Sequence, residues 1–254
     1  MNEFHAAEHL AARSSGAASP NARSDCASQR KGRQRPALLA SLGLTLLLLS
    51  AVNTSWLLAI ALPALWLSIL APLERREWAV CLLVAPFFIA QNYLALSAGA
   101  FMFSQRDFLL MPWYEPLLWM CWYVHTVRLI GQPAHQVPLR VTAWAGLMFT
   151  MLAFSVFGGN TIALTAATAV SCTVLIAMFH QRGDLAYACC AVTLGAFVEG
   201  VGVGCGLWTY PESEATIWGV PWWSLSMWIS VGLLGRRFVV PAAEWLAARG
   251  ARHV

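Results

Sequence analysis

Between residues 199 and 214 the chain reads EGVGVGCGLWTYPESE: a glutamate, a ladder of alternate glycines, then tryptophan, tyrosine and further acid. The stretch before it, LAYACCAVTLGAFV, is apolar enough to lie in a bilayer. An ionisable group in a membrane span costs roughly 2.5–3.5 kcal/mol on insertion scales, so it normally faces a partner or a water-filled cavity. A carboxylic acid held in an apolar site can act as a proton donor. Indole faces stabilise a nearby cation by up to about 2 kcal/mol when desolvated, and this chain carries thirteen tryptophans. Acid and indole together in a dry cavity suit protonation of an alkene and shelter of the resulting carbocation.

Glu199 is the expected acid, about 12 Å below the end of its apolar segment at 1.5 Å per residue. Gly195, Gly202 and Gly206 fall on its side of a helix. That face permits either close approach of another helix or a groove beside the carboxylate. Glu115 is the second candidate, in the stretch MPWYEPLLWMCWYVHTVR. It shares a helix face with Trp119, Trp122 and Thr126 by the spacing i, i+4, i+7. The competing reading sets Glu115 at the headgroup level, in a first turn that Pro116 and an acid both suit. Asn92, beside Gln91, lies at a depth close to that of Glu199. Asn92, Trp119, Trp122, Trp208, Tyr210 and Trp222 are the expected substrate contacts. His125 reads as a hydrogen-bonded core histidine, and Arg128 as a side chain that snorkels to the interface.

The elements that must position these groups are helices in lipid. Of the 254 residues, 59% are hydrophobic and 11% charged, against about 25% charged in a soluble domain. Apolar segments run at 37–52, 56–72, 78–98, 113–130, 141–158, 161–179, 185–207 and 217–235, most of them near the roughly 20 residues a span needs. With the N-terminus inside and eight spans, 15 of the 16 basic residues fall on the cytoplasmic side and only Arg106 outside. The expected fold is therefore an all-α polytopic membrane protein, a bundle of eight transmembrane helices with both termini cytoplasmic. Residues 1–36 read as a disordered cytoplasmic tail without the apolar core of a signal peptide. Residues 37–235 form the membrane domain and 236–254 a basic cytoplasmic segment. The bacterial inner membrane is the expected location.

Several classes are set aside. The basic residues sit between apolar segments and form no nucleic-acid face. Six of the seven cysteines lie in apolar segments and no CxxC pair occurs, so neither a disulfide framework nor a metal site is expected. No Walker loop, dinucleotide fingerprint, HExxH or GxSxG is present, and no cofactor is expected. The partners implied are membrane lipids and a lipid-soluble small molecule, and the glycine-rich helix faces allow oligomerisation.

Around Glu199-Gly200, Gly204-x-Gly206-x-Trp208-x-Tyr210, Trp218-Gly219-Val220-Pro221 and Trp228, the chain resembles integral-membrane carotenoid hydratases and the carotene and terpene cyclases. The resemblance covers residues 195–241. It implies a bundle of this size in which a carboxylate protonates a polyene or epoxide, and Glu199 is the position carried over. Glu115 matches no motif of these families. The first reading is thus a membrane lyase or isomerase that hydrates, cyclises or isomerises an isoprenoid in the outer half of the bundle. The alternatives are a transporter or lipid-handling protein with a carboxylate-lined site, and a non-catalytic assembly subunit.

Overall fold

The structure, a computed structural model, describes residues 20–131, 141–211 and 218–250. It divides into two compact units, Met1–Ala40 and Ser41–Val254. The first contributes the beginning of helix α1 (Pro20–Ala51). The described part of the second is built from α2 (Ser55–Leu70), α3 (Arg75–Ser97), α4 (Glu115–Ile130), α5 (Val141–Phe157), α6 (Thr161–Met178), α7 (Arg182–Gly204), α8 (Trp222–Leu234) and α9 (Val240–Gly250). A single π-helical turn, Gly235–Val239, joins α8 to α9 without a break.

Each of the eight apolar segments contains a helix. By length and composition, α3, α6 and α7 are able to cross a membrane, while α2 and the apolar part of α5 are shorter. Leu82, Ile162 and Phe197 are 73%, 85% and 61% exposed, which in a chain this apolar is the pattern of side chains that meet lipid. The molecule is a helical membrane protein.

Local sequence explains the helix ends. Glu74 and Glu77 form a capping box at the start of α3, and Gln181 and Asp184 form another at the start of α7, each pair satisfying two otherwise unpaired backbone donors. Asn160 caps α6 by accepting from the Ala163 amide at 3.0 Å. Pro116 occupies the first turn of α4, where its missing N–H costs nothing. Gly131 stops α4 with a φ of 88°, a conformation glycine adopts without strain.

Helices α3, α4, α7, α8, α6 and α5 pack in that cyclic order, each against the next, and α5 closes the ring on α3. Helix α2 packs on the outside of α4, and α9 lies along α3. At one end of the ring the loops carry two short strands, β1 (Met102–Phe103) and β2 (Trp208–Thr209). They pair antiparallel with Phe103 opposite Trp208.

The opposite end is tied by ion pairs. Arg128 grips Glu77 through two contacts of 2.7 Å, so it joins α4 to α3 instead of snorkelling. Asp184, wholly buried, is held by Arg236 and Arg237, with Arg237 Nε at 2.7 Å from Oδ1. These two arginines sit in the π turn. The boundary expected at 235 therefore falls inside a continuous helix, and Arg237 is buried there. Helix α1 likewise begins at Pro20, upstream of the boundary expected at 36. The expected tail residues 1–19, together with Arg140, Glu212, Glu214 and Arg252, lie outside the described residues.

Candidate functional site

Glu199 points from α7 into the ring and is 6% exposed. Its carboxylate accepts four hydrogen bonds, two on each oxygen. Oε2 accepts from Trp208 Nε1 at 3.0 Å and from Tyr210 Oη at 2.6 Å. Oε1 accepts from Ser224 Oγ at 3.0 Å and from Trp228 Nε1 at 3.1 Å. An ionised carboxylate offers about four acceptor sites and no donor, so these four bonds occupy its whole capacity. The two indole N–H groups act as donors only, one to each oxygen.

The glycines on this face have a direct role. A Cβ at Gly202 would lie 2.0 Å from the Trp208 ring, and one at Gly195 would lie 2.3 Å from the Trp228 ring. The face is therefore filled by the two indoles that donate to Glu199. It is not an open groove, and at Gly195 it is a contact with helix α8, which carries Trp228. Gly200 and Gly204, by contrast, face open space.

Glu115, at the start of α4, is 8% exposed and also points inward. It is not half solvated, as its first-turn position suggested. Its Oε1 accepts from Asn92 Nδ2 at 2.8 Å and from Trp119 Nε1 at 2.9 Å. Trp119 in turn is stacked between Phe88, at 3.7 Å between ring centroids, and Trp228, at 4.9 Å. Each carboxylate thus holds one member of a stacked indole pair, Trp119 on Glu115 and Trp228 on Glu199.

Both carboxylates line one cavity of about 50 Å³, shared with Gln91, Asn92, Trp122 and Trp223. Water needs about 10–15 Å³ on this measure, so the space holds a few waters or one small polar group. It is far short of the volume of an isoprenoid chain. Gln91 is 4% exposed, and neither its Oε1 nor its Nε2 has a hydrogen-bond partner. Two smaller voids of about 20 Å³ each continue toward the ion-paired end. One borders Trp119, Trp122 and Trp228, and the other borders Gln91 and Met227. On the loop side a wider vestibule of about 250 Å³ is lined by Asn53, Ser104, Gln105 and Tyr114. The strand pair separates vestibule and cavity, since Phe103 and Trp208 line the cavity while the adjoining Ser104 and Leu207 line the vestibule.

Of the residues expected at the site, Glu199, Glu115, Asn92, Trp119, Trp122, Trp208 and Tyr210 converge on this cavity. Trp222 does not: it is 52% exposed on the outer face of α8, and its neighbour Trp223, 2% exposed, faces the cavity instead. Ser224 and Trp228 were missed as partners of Glu199. Their spacing of four places both on one face of α8, which was the available signal. His125 is fully buried, with Nδ1 toward its own helix backbone at Cys121 O, 2.9 Å away.

With this geometry in hand, similarity to known proteins falls on the fold. A mycobacterial Insig homologue from Mycobacterium vanbaalenii, MvINS, superposes with a TM-score of 0.58 at 15% identity, over 68% of this chain and 95% of that one. The chain has an Insig-like fold. A cross-linked trimer of the same protein gives a TM-score of 0.57 at the same identity and coverage. No protein-family model matches the sequence, and no curated protein matches it. These findings overturn the resemblance to carotenoid hydratases and to carotene and terpene cyclases. The aromatics that carried it, Trp208, Tyr210 and Trp228, are explained by their hydrogen bonds to Glu199, while Gly200 and Gly204, which also carried it, face open space.

Proposed function

We propose that this chain is a membrane lipid-handling protein that receives one amphipathic lipid in the ring of helices. The polar head of the lipid lies at Glu115, Asn92 and Gln91, and its chain lies along the apolar voids below. The observation that carries this reading is Gln91. A buried amide with both atoms unbonded costs about 1–3 kcal/mol, and this one sits where the polar cavity meets an apolar void. Such a group is satisfied when a polar head arrives. The Insig-like fold of the ring agrees with a lipid-handling or regulatory role, and no feature of the comparisons favours an enzyme. In this reading Glu199 is a fixed acceptor that organises Trp208, Tyr210, Ser224 and Trp228. Trp119 and Trp122 are walls of the head site. The cavity at about 50 Å³ is the closed form, and the short strand pair yields to admit the lipid from the vestibule, chain first.

The same proposal includes eight spans, both termini in the cytoplasm and a place in the bacterial inner membrane. The strand-pair end is then the outer one, since among the basic residues only Arg106 lies there. It also includes self-association through the face of α7 bearing Gly200 and Gly204, which opens onto free space.

The test is the lipid that co-purifies. Mass spectrometry of extracts from the native chain should show one lipid class enriched over the bulk membrane, near one molecule per chain. Ala95→Leu, which pushes three more carbons into the cavity wall, should remove that enrichment while the protein stays folded. A bulk-like lipid profile from the native chain would sink the lipid-handling reading.

A further inference from the structure

The charge balance of the cavity specifies which head group it takes. Glu115 and Glu199 both line it, and none of the described residues that line it is Lys, Arg or His. Buried charges are ordinarily paired, yet the donors around these two carboxylates are all neutral: indole, phenol, hydroxyl and amide. A positive charge in the cavity would pair them. We infer that the lipid bound here is a long-chain primary amine whose ammonium head enters the cavity and contacts Glu115. This inference rests on the lipid-handling reading above.

The unspent hydrogen-bonding capacity agrees with that choice. Glu199 is saturated, whereas both bonds to Glu115 fall on Oε1, and among the described residues none reaches its Oε2. The Gln91 carbonyl has no donor either. An ammonium brings three donors and no acceptor, which suits the free oxygens Glu115 Oε2 and Gln91 Oε1, and a water beside it accepts from Gln91 Nε2. The surrounding tryptophans favour a cation through the negative faces of their rings. Donor count narrows the class further. An NH₃⁺ head brings N–H donors to Glu115 Oε2 and the Gln91 carbonyl, whereas a trimethylammonium head brings none. Phosphate-bearing heads are excluded by charge, since two carboxylates repel them and no basic side chain in the lining offsets that repulsion.

Native mass spectrometry of the detergent-solubilised chain with four ten-carbon ligands tests this: decylamine, decanol, decanoate and decyltrimethylammonium. Thermal melting of the same samples gives a second readout. Decylamine should bind once per chain, at least tenfold more tightly than the other three, and should alone raise the melting midpoint. Glu115→Gln should weaken decylamine at least tenfold and decanol far less, so that the preference between the two collapses. Should that variant not fold, the four-ligand comparison on the native chain decides alone. Equal binding of decanol and decylamine would overturn the ammonium assignment and leave the lipid-handling reading standing. Binding of decylamine in many copies, unaffected by Glu115→Gln, would overturn it as mere partition into the micelle. No binding of any ligand, combined with a bulk-like profile of co-purified lipid, would remove both.

Discussion

At the scale of single residues, the carboxylate of Glu199 is fully satisfied by four donors, and this makes it structural. In Glu199→Gln an amide nitrogen replaces one oxygen. Each oxygen receives an indole N–H, which can only donate, so one indole must face another donor. An unsatisfied buried donor costs about 1–3 kcal/mol, and more where a charged acceptor is lost. The variant should therefore melt at a visibly lower temperature, by about 2–3 kcal/mol of stability, under matched detergent conditions. An unchanged midpoint would mean the four-bond cluster is not holding α7 to α8. That Glu199 mattered was legible in the sequence, because a carboxylate in an apolar run demands an explanation. Its partners were not. Ser224 and Trp228 lie 25 and 29 residues away along the chain, on a helix whose position beside α7 is a matter of packing. Trp222 and Trp223 show the same limit, since adjacent tryptophans differ by about 100° on a helix and only the neighbours decide which faces inward.

At the scale of elements, α7 carries glycines with opposite meanings. Gly202→Ala places a methyl group against the Trp208 ring at 2.0 Å, while Gly200→Ala meets nothing within 4 Å. Overpacking costs about 1–3 kcal/mol, whereas an unhindered helical alanine gains up to about 1 kcal/mol over glycine. Thermal melts of the two variants should therefore move in opposite directions. Two downward shifts of equal size would show that Trp208 is not seated as described. Alternate-glycine patterns in a sequence carry no label telling which member seats a ring, so this distinction was invisible before the loop was placed. Helix positions fared better. Hydropathy placed a helix in every apolar segment, but it could not see α8 run on through the π turn. The two arginines at 236 and 237 look like a terminus until Asp184 is brought beside them.

At the scale of the whole molecule, the cyclic order α3, α4, α7, α8, α6, α5 is what turns scattered polar residues into one site. Glu115, Asn92 and Glu199 come from three different helices, and sequence alone leaves their spatial order open. Charge distribution speaks instead to orientation. If the strand-pair end faces outward, a chain retaining only Cys205, an exposed thiol at that end, should react with a membrane-impermeant maleimide in intact spheroplasts. A chain retaining only Cys26, in the N-terminal segment, should react only after lysis. The reverse pattern would invert the topology, and labelling of both thiols in intact cells would place the two ends on one side.

Trp119 and Trp228 stand nearly parallel, at 4.9 Å and 23°, and each is anchored to a different carboxylate. Two chromophores so close share their excited states, so their intense far-ultraviolet transitions give an exciton couplet and not the sum of two isolated indoles. The sign and size of that couplet depend on the angle between the rings. Anything that draws Glu115 toward a newly arrived group tilts Trp119 against its partner. The protein therefore carries a built-in optical gauge of what occupies its interior, readable without a label.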